Sequence, residues 1–171
     1  LAPTSSTTLA LVFGDALAVS LLEHRGFTKD DFAKSHPAGQ LGKKLTTLVE
    51  DIAIMDNSTP VVSKDASLKD ALIEITEKKL GITLVADGKK IIGIFTDGDL
   101  RRCLNQEKDL AKTSIGTVMT NNFKSIAHDA LAIDAAEIME KNKIFTLVVT
   151  HAKDNASGII TMHQLLESGI I

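Results

Sequence analysis

A chain of 171 residues, 44% apolar and 24% charged, can build one sizeable core or two small ones and has ordinary globular composition. Its net charge of −3, its scattered lysines and its lack of tryptophan and tyrosine exclude a basic, aromatic-lined nucleic-acid surface. The one cysteine, Cys103, excludes an internal disulfide, fits a reducing cytoplasmic compartment, and reads as a small buried hydrophobe on a helix.

The hydroxyl cluster Thr4-Ser5-Ser6-Thr7-Thr8 is expected to cap a helix that runs to about Arg25 and stops at Gly26. That helix is apolar around most of its circumference, so it belongs inside a larger protein. Its apolar run, residues 9–22, is expected to be too short for a membrane span and is broken by Gly14, Asp15 and Ser20. No signal peptide is visible, and a start at Leu1 suggests an excised portion of something longer. Thr28 and Asp31 have capping-box spacing for a short helix over residues 29–34, which Ser35-His36-Pro37 stops. Gly39-Gln40-Leu41-Gly42-Lys43-Lys44 has the wrong glycine spacing for a P-loop, and Lys44 stands where a magnesium-ligating hydroxyl is needed.

Asp51-Ile52-Ala53-Ile54-Met55 and Ile115-Gly116-Thr117-Val118-Met119-Thr120 lead into two related units. Met55 or Met119 can line an adaptable apolar pocket for a base, although core filling is the commoner role. Ser67 and Asp70 cap a helix whose Leu68, Ala71, Leu72 and Ile75 follow the i, i+3, i+4, i+7 stripe. Asp87-Gly88 gives a tight hairpin turn, which becomes the longer segment 151–157 in the second unit. Gly93-Ile94-Phe95-Thr96-Asp97-Gly98-Asp99-Leu100-Arg101-Arg102 carries an apolar run into a helix start. Free backbone N–H groups there favour anions, Thr96 adds a hydroxyl, and an exposed Asp99 can accept from a ribose diol. Taken alone, Asp97 and Asp99 are better read as helix caps. The pattern recurs, however, as Gly158-Ile159-Ile160-Thr161-Met162-His163-Gln164-Leu165-Leu166. Ile82-Thr83-Leu84-Val85 is expected to line up with Phe145-Thr146-Leu147-Val148, and helix 68–79 with helix 132–143.

These paired α/β units with a G-[aliphatic]-x-T-x-x-D turn resemble CBS domains, over about residues 48–171. The resemblance implies a tandem pair with pseudo-two-fold symmetry, repeat 1 over 48–108 and repeat 2 over 109–171. It implies ligand contacts from Thr96 and Asp99. Gln164 replaces the aspartate in the second copy, so Thr161 keeps its hydroxyl but one good site is expected rather than two. Arg101 and Arg102 can reach a phosphate or a sugar-acid carboxylate, although a helical arginine is usually just solvated.

Residues 1–47 are similar to the end of the sugar isomerase (SIS) domain of the arabinose-5-phosphate isomerases. The match is carried by Leu1-Ala2-Pro3-Thr4-Ser5-Ser6-Thr7-Thr8, Gly14-Asp15-Ala16-Leu17-Ala18, Arg25-Gly26-Phe27, Asp31-Phe32-Ala33 and Ser35-His36-Pro37. Ala38 stands where that family usually has glycine. The resemblance implies a parent that interconverts D-ribulose 5-phosphate and D-arabinose 5-phosphate on the route to the lipopolysaccharide sugar Kdo. It makes His36 an active-site residue, with the rest of the catalytic equipment upstream in the SIS domain; a histidine near its ordinary pKa suits proton transfer between adjacent carbons. The implied ligand is CMP-Kdo, its ribose on Asp99 and its phosphate near Thr96, with AMP as the generic alternative. The implied partners are the SIS domain of the same chain and further copies of the chain through dimerising CBS pairs; no nucleic acid, membrane or cofactor is expected. A dimerisation module without a ligand is the other reading. His24, His128, His151 and His163 show no ligand spacing, so no metal is expected.

Overall fold

The computed structural model describes residues 2–28, 31–32, 35, 39–151 and 155–171. It divides into two units, residues 1–46 and 47–171.

In the first unit, α1 (Thr4–His24) is followed by α2 (Gln40–Thr46). The hydroxyl cluster does not cap α1, which corrects the expectation. Pro3 occupies the cap, and Ser6, Thr7 and Thr8 lie inside the first turns, donating back to the carbonyls of Pro3 and Thr4. Their inclusion makes the helix 21 residues long, so α1 as a whole, unlike the run 9–22 alone, passes a length-and-composition test for crossing a bilayer. Its end is as read. Gly26, at φ +62°, donates to the Glu23 carbonyl while Phe27 donates to that of Leu22, a Schellman closure that needs the left-handed residue. No residue of α1 is buried, and Leu9 and Phe13 are 73% and 71% exposed. The capping box at Thr28 and Asp31 forms, with the Thr28 amide 3.0 Å from Asp31 Oδ2, whereas residues 29, 30, 33 and 34 of the expected helix lie outside the described residues.

The second unit opens with α3 (Val49–Ile52) and β1 (Ile54–Met55). Then come β2 (Val61–Ser63), α4 (Leu68–Lys78), β3 (Ile82–Asp87), β4 (Lys90–Thr96) and α5 (Asp97–Asn105). The second repeat supplies β5 (Ser125–Ala127), α6 (Ala132–Asn142), β6 (Thr146–His151), β7 (Asn155–Thr161) and α7 (Met162–Glu167). One sheet has the order β2-β3-β4 and the other β1-β7-β6-β5. The Ser67–Asp70 cap and the buried stripe Leu68, Ala71 and Ile75 form on α4 as the sequence predicts. Both α4 and α6 end on a lysine in the left-handed conformation, Lys79 and Lys143.

The repeats exchange their lead-in segments. β1, which precedes repeat 1 in sequence, pairs antiparallel with β7 of repeat 2, and Val49 joins the core of Ile126, Ala135, Met139 and Leu147. Reciprocally, Thr120 exchanges two backbone hydrogen bonds with Ile94 of β4, while Ile115 and Met119 pack on the core of repeat 1 around Val85, Phe95 and Cys103. A third cluster, Ile82, Leu84, Val148 and Ile159, fills the space between the sheets. Glycines make the crossings possible. A Cβ on Gly93 would stand 2.6 Å from Met119 Sδ and 3.1 Å from the Thr120 carbonyl oxygen, and one on Gly158 would overlap the Ile54 carbonyl oxygen. The recurring glycine of the turn motif is thus a packing requirement of the exchange.

The expected pairing of Ile82 with Phe145 is one residue out. Ile82 faces Thr96 across its hairpin and Thr146 faces Thr161, so Ile82 corresponds to Thr146, and Phe145 to Gly81. β3 and β6 are buried on both faces and therefore lack the period-two alternation that would have fixed the register.

Candidate functional site

At the start of α5, β4 delivers Thr96 to the helix as its N-cap. The turn opposite is tight. Gly81 adopts φ +66°, its carbonyl accepts from the Asp97 amide at 3.3 Å, and a Cβ on it would approach Asp97 Oδ2 to 3.2 Å. Between the two repeats these segments border a cleft of about 680 Å³. Thr96, Asp97 and Gly98 come from the first repeat, Thr120, Asn122, Phe123 and Lys124 from the lead-in to the second, and Lys143 to Thr146 from its helix–strand turn. Its size and its mixture of apolar surface with a few polar groups suit a small organic ligand.

The expected exposed Asp99 is corrected by the structure: the residue is 3% exposed and lies behind the cleft-lining Thr96 and Thr120, whose hydroxyls it accepts from. Its Oδ2 accepts from the Thr96 amide at 2.9 Å and from Thr96 Oγ1 at 2.7 Å. Its Oδ1 accepts from Thr120 Oγ1 at 2.9 Å and from Arg102 Nη2. A carboxylate offers about four acceptor sites, and these donors are spread over both of its oxygens. The Thr96 hydroxyl gives its proton to Asp99, and Thr96 itself borders the cleft. Arg102 serves as a clamp on Asp99, and neither it nor Arg101 lines the cleft. Met55 and Met119 pack on the cores of the repeats rather than against the cleft.

In the second repeat Thr161 caps α7 in the same way, its amide 3.0 Å from Gln164 Oε1 and its hydroxyl bonded to the same oxygen. Asp and Gln both supply the carbonyl-type oxygen that closes a capping box, which explains why this position tolerates the exchange. The space beside Thr161 is smaller, about 320 Å³, and is bordered by Met162 and His163 where the first repeat has Asp97 and Gly98.

Thr120, Asn122, Lys124 and Lys143 were not singled out from the sequence as ligand contacts. Their signal was positional only, since they flank the lead-in and the helix end rather than the repeated motif. His36 lies outside the described residues. His163 pairs with Glu167 at 3.0 Å, and His128 lies 2.6 Å from Glu50 Oε2 and stacks on His151 at 3.7 Å between ring centroids. Among the described residues no group of three or more His, Cys, Asp or Glu is placed to hold a metal ion.

The CBS domain family matches residues 49–106 and 115–170. The chain is 51% identical over its whole length to arabinose 5-phosphate isomerase KdsD of Pseudomonas aeruginosa, covering 53% of that protein, and 48% identical to the Escherichia coli K12 enzyme of the same name, covering 52% of it. It therefore spans about half the length of these curated relatives. Among solved structures, CBSX2 in complex with AMP superposes with a TM-score of 0.64 at 25% identity, over 72% of this chain and 96% of that one.

Proposed function

Because the chain belongs to the CBS-domain family, as a tandem pair matching the C-terminal region of the arabinose 5-phosphate isomerases KdsD, we propose that residues 47–171 sense a nucleotide or nucleotide sugar and regulate an upstream isomerase domain. The observation that carries this reading is the cleft between the repeats, where Lys124 and Lys143 stand with Asp97 and Phe123. Two ammonium groups suit a ligand with two anions, a phosphate and a sugar-acid carboxylate. CMP-Kdo has both, and as an end product of Kdo activation it is the natural feedback signal. AMP, with one phosphate, is the second reading, favoured by the AMP complex of the relative CBSX2. In this reading α1 is an interior helix of the upstream sugar isomerase domain, whose remaining mass covers its apolar surface, and the protein works in the cytoplasm. Exposed Ile73, Leu166 and Ile171 on the pair suit homo-oligomerisation.

Calorimetric titration with CMP-Kdo, CMP and AMP in parallel tests the ligand. Saturable binding with CMP-Kdo at least about tenfold tighter than CMP is expected, since an added charge-assisted contact contributes roughly 1.5–3 kcal/mol. Tighter AMP binding would make the pair an energy sensor, and no binding would leave an oligomerisation module. In the full-length protein, His36→Ala is expected to lower turnover of D-ribulose 5-phosphate by roughly 10²–10⁴-fold, the usual contribution of a general acid–base group, without changing nucleotide binding. Unchanged turnover would remove His36 from the reaction.

A further inference from the structure

Where the strands of the second repeat end, the parallel pairing of β5 with β6 brings two histidines together. Ala127 stands opposite Thr150, and the next residues, His128 and His151, lie with their ring centroids 3.7 Å apart and their planes tilted by 35°. Glu50 joins them from α3 of the exchanged lead-in. Its amide donates to the His128 carbonyl at 3.0 Å, and its Oε2 lies 2.6 Å from His128 Nδ1. An ionised carboxylate only accepts, so Nδ1 carries the proton, and Nε2 of the neutral ring is left with a free lone pair. A carboxylate placed in this way is the usual orienting partner of a metal-ligating histidine. The corner is open to solvent, with the His128 side chain 25% exposed and His151 on the surface.

We propose that His128 Nε2 and a ring nitrogen of His151 bind one late divalent transition-metal ion, with Glu50 holding the His128 ring in its ligating orientation and water completing the shell. Imidazole nitrogen suits Zn²⁺, Ni²⁺ and Cu²⁺. Two nitrogens on one tetrahedral ion, each at about 2.0–2.1 Å, stand about 3.4 Å apart, close to the separation of these two rings. Glu50 lies 78 residues before His128, so no local spacing marks the set. The first repeat fills the equivalent corner differently. Ser63 and Ala86 pair as Ala127 and Thr150 do, and the residues that follow them, Lys64 and Asp87, form an ion pair at 2.8 Å. Gly116, whose amide donates to the Lys64 carbonyl at 2.9 Å, takes the place of Glu50, and a Cβ there would stand 2.8 Å from that carbonyl oxygen. One ion per chain is therefore expected, at the junction of the exchanged lead-in with the second repeat.

The test is calorimetric titration of the untagged chain with Ni²⁺, Zn²⁺ and Mg²⁺ in separate runs. Saturable binding of Ni²⁺ and Zn²⁺ at one ion per chain is expected, and none of Mg²⁺, which prefers oxygen ligands. Glu50→Gln is expected to weaken Ni²⁺ binding by roughly 10–100-fold, the usual effect of losing an orienting partner, and His128→Gln and His151→Gln by at least as much. His163→Gln, which removes the imidazole paired with Glu167 on α7, is expected to leave the affinity unchanged. With Cu²⁺ as the probe, electron paramagnetic resonance is expected to show coupling to two imidazole nitrogens in wild type and to one in either His128→Gln or His151→Gln. General loosening of the fold would not produce that change. No binding to wild type, an affinity unchanged in either of those two variants, or an equal loss in His163→Gln would overturn the proposal.

Discussion

Asp99→Ala is expected to destabilise the chain by about 2–4 kcal/mol, read as a lowered midpoint in urea denaturation of the unliganded protein. The change leaves the Thr96 amide without its cap acceptor, which costs about 1 kcal/mol, and strands the Thr120 hydroxyl at a partly buried site, which costs roughly 1–3 kcal/mol. Arg102 adds little to the total. Its side chain is 65% exposed, so its guanidinium rehydrates when the partner is lost. Reading the turn as an exposed carboxylate leads to the opposite result, an intact fold with lost binding. A change below about 0.5 kcal/mol would support that alternative. Asp99→Asn is expected to lose less, because Gln164 shows that one amide oxygen suffices to cap the equivalent helix through Thr161.

Gly158→Ala is expected to be at least as damaging, at about 3 kcal/mol or more, because overpacking against a fixed backbone has no cheap escape. The added methyl would overlap the Ile54 carbonyl oxygen and Met55 Sδ, where β1 crosses β7. Relief requires β1 to separate from the sheet, and the register Ile54 to Ile159 would open with it. Gly93→Ala meets chiefly the flexible end of Met119, at 2.6 Å from Sδ, with the Thr120 carbonyl oxygen at 3.1 Å, so a smaller loss is expected there. Thermal unfolding of the two variants side by side checks the ranking. Equal and small effects would mean that the exchanged lead-in segments contribute little to the fold.

The difference between the two glycines reflects a more general division in what the chain encodes. The Thr-x-x-Asp and Thr-x-x-Gln caps, the Ser67–Asp70 box, the α4 stripe and the stop at Gly26 were all legible, because each is satisfied by groups within about five residues. The repeat was legible as well, since a recurring G-[aliphatic]-x-T survives changes around it. The hydroxyl cluster at residues 4–8 misled because serine and threonine can either cap a helix or bond back to the preceding turn, and neighbouring letters do not distinguish the two.

Sequence by itself therefore determined the family, the tandem α/β pair and the chemistry of the helix starts, all of which follow from local spacing and repetition. Only the tertiary structure decided which way the chemistry faces. It turned Asp99 inward, moved Arg101 and Arg102 off the cleft, and brought Thr120, Lys124 and Lys143 to it. It also paired β1 with a strand about a hundred residues away and set β3 and β6 in register. The physical reason is common to these cases. Contacts between distant segments depend on strand register and on which face is buried, and in strands buried on both faces the apolar pattern specifies neither.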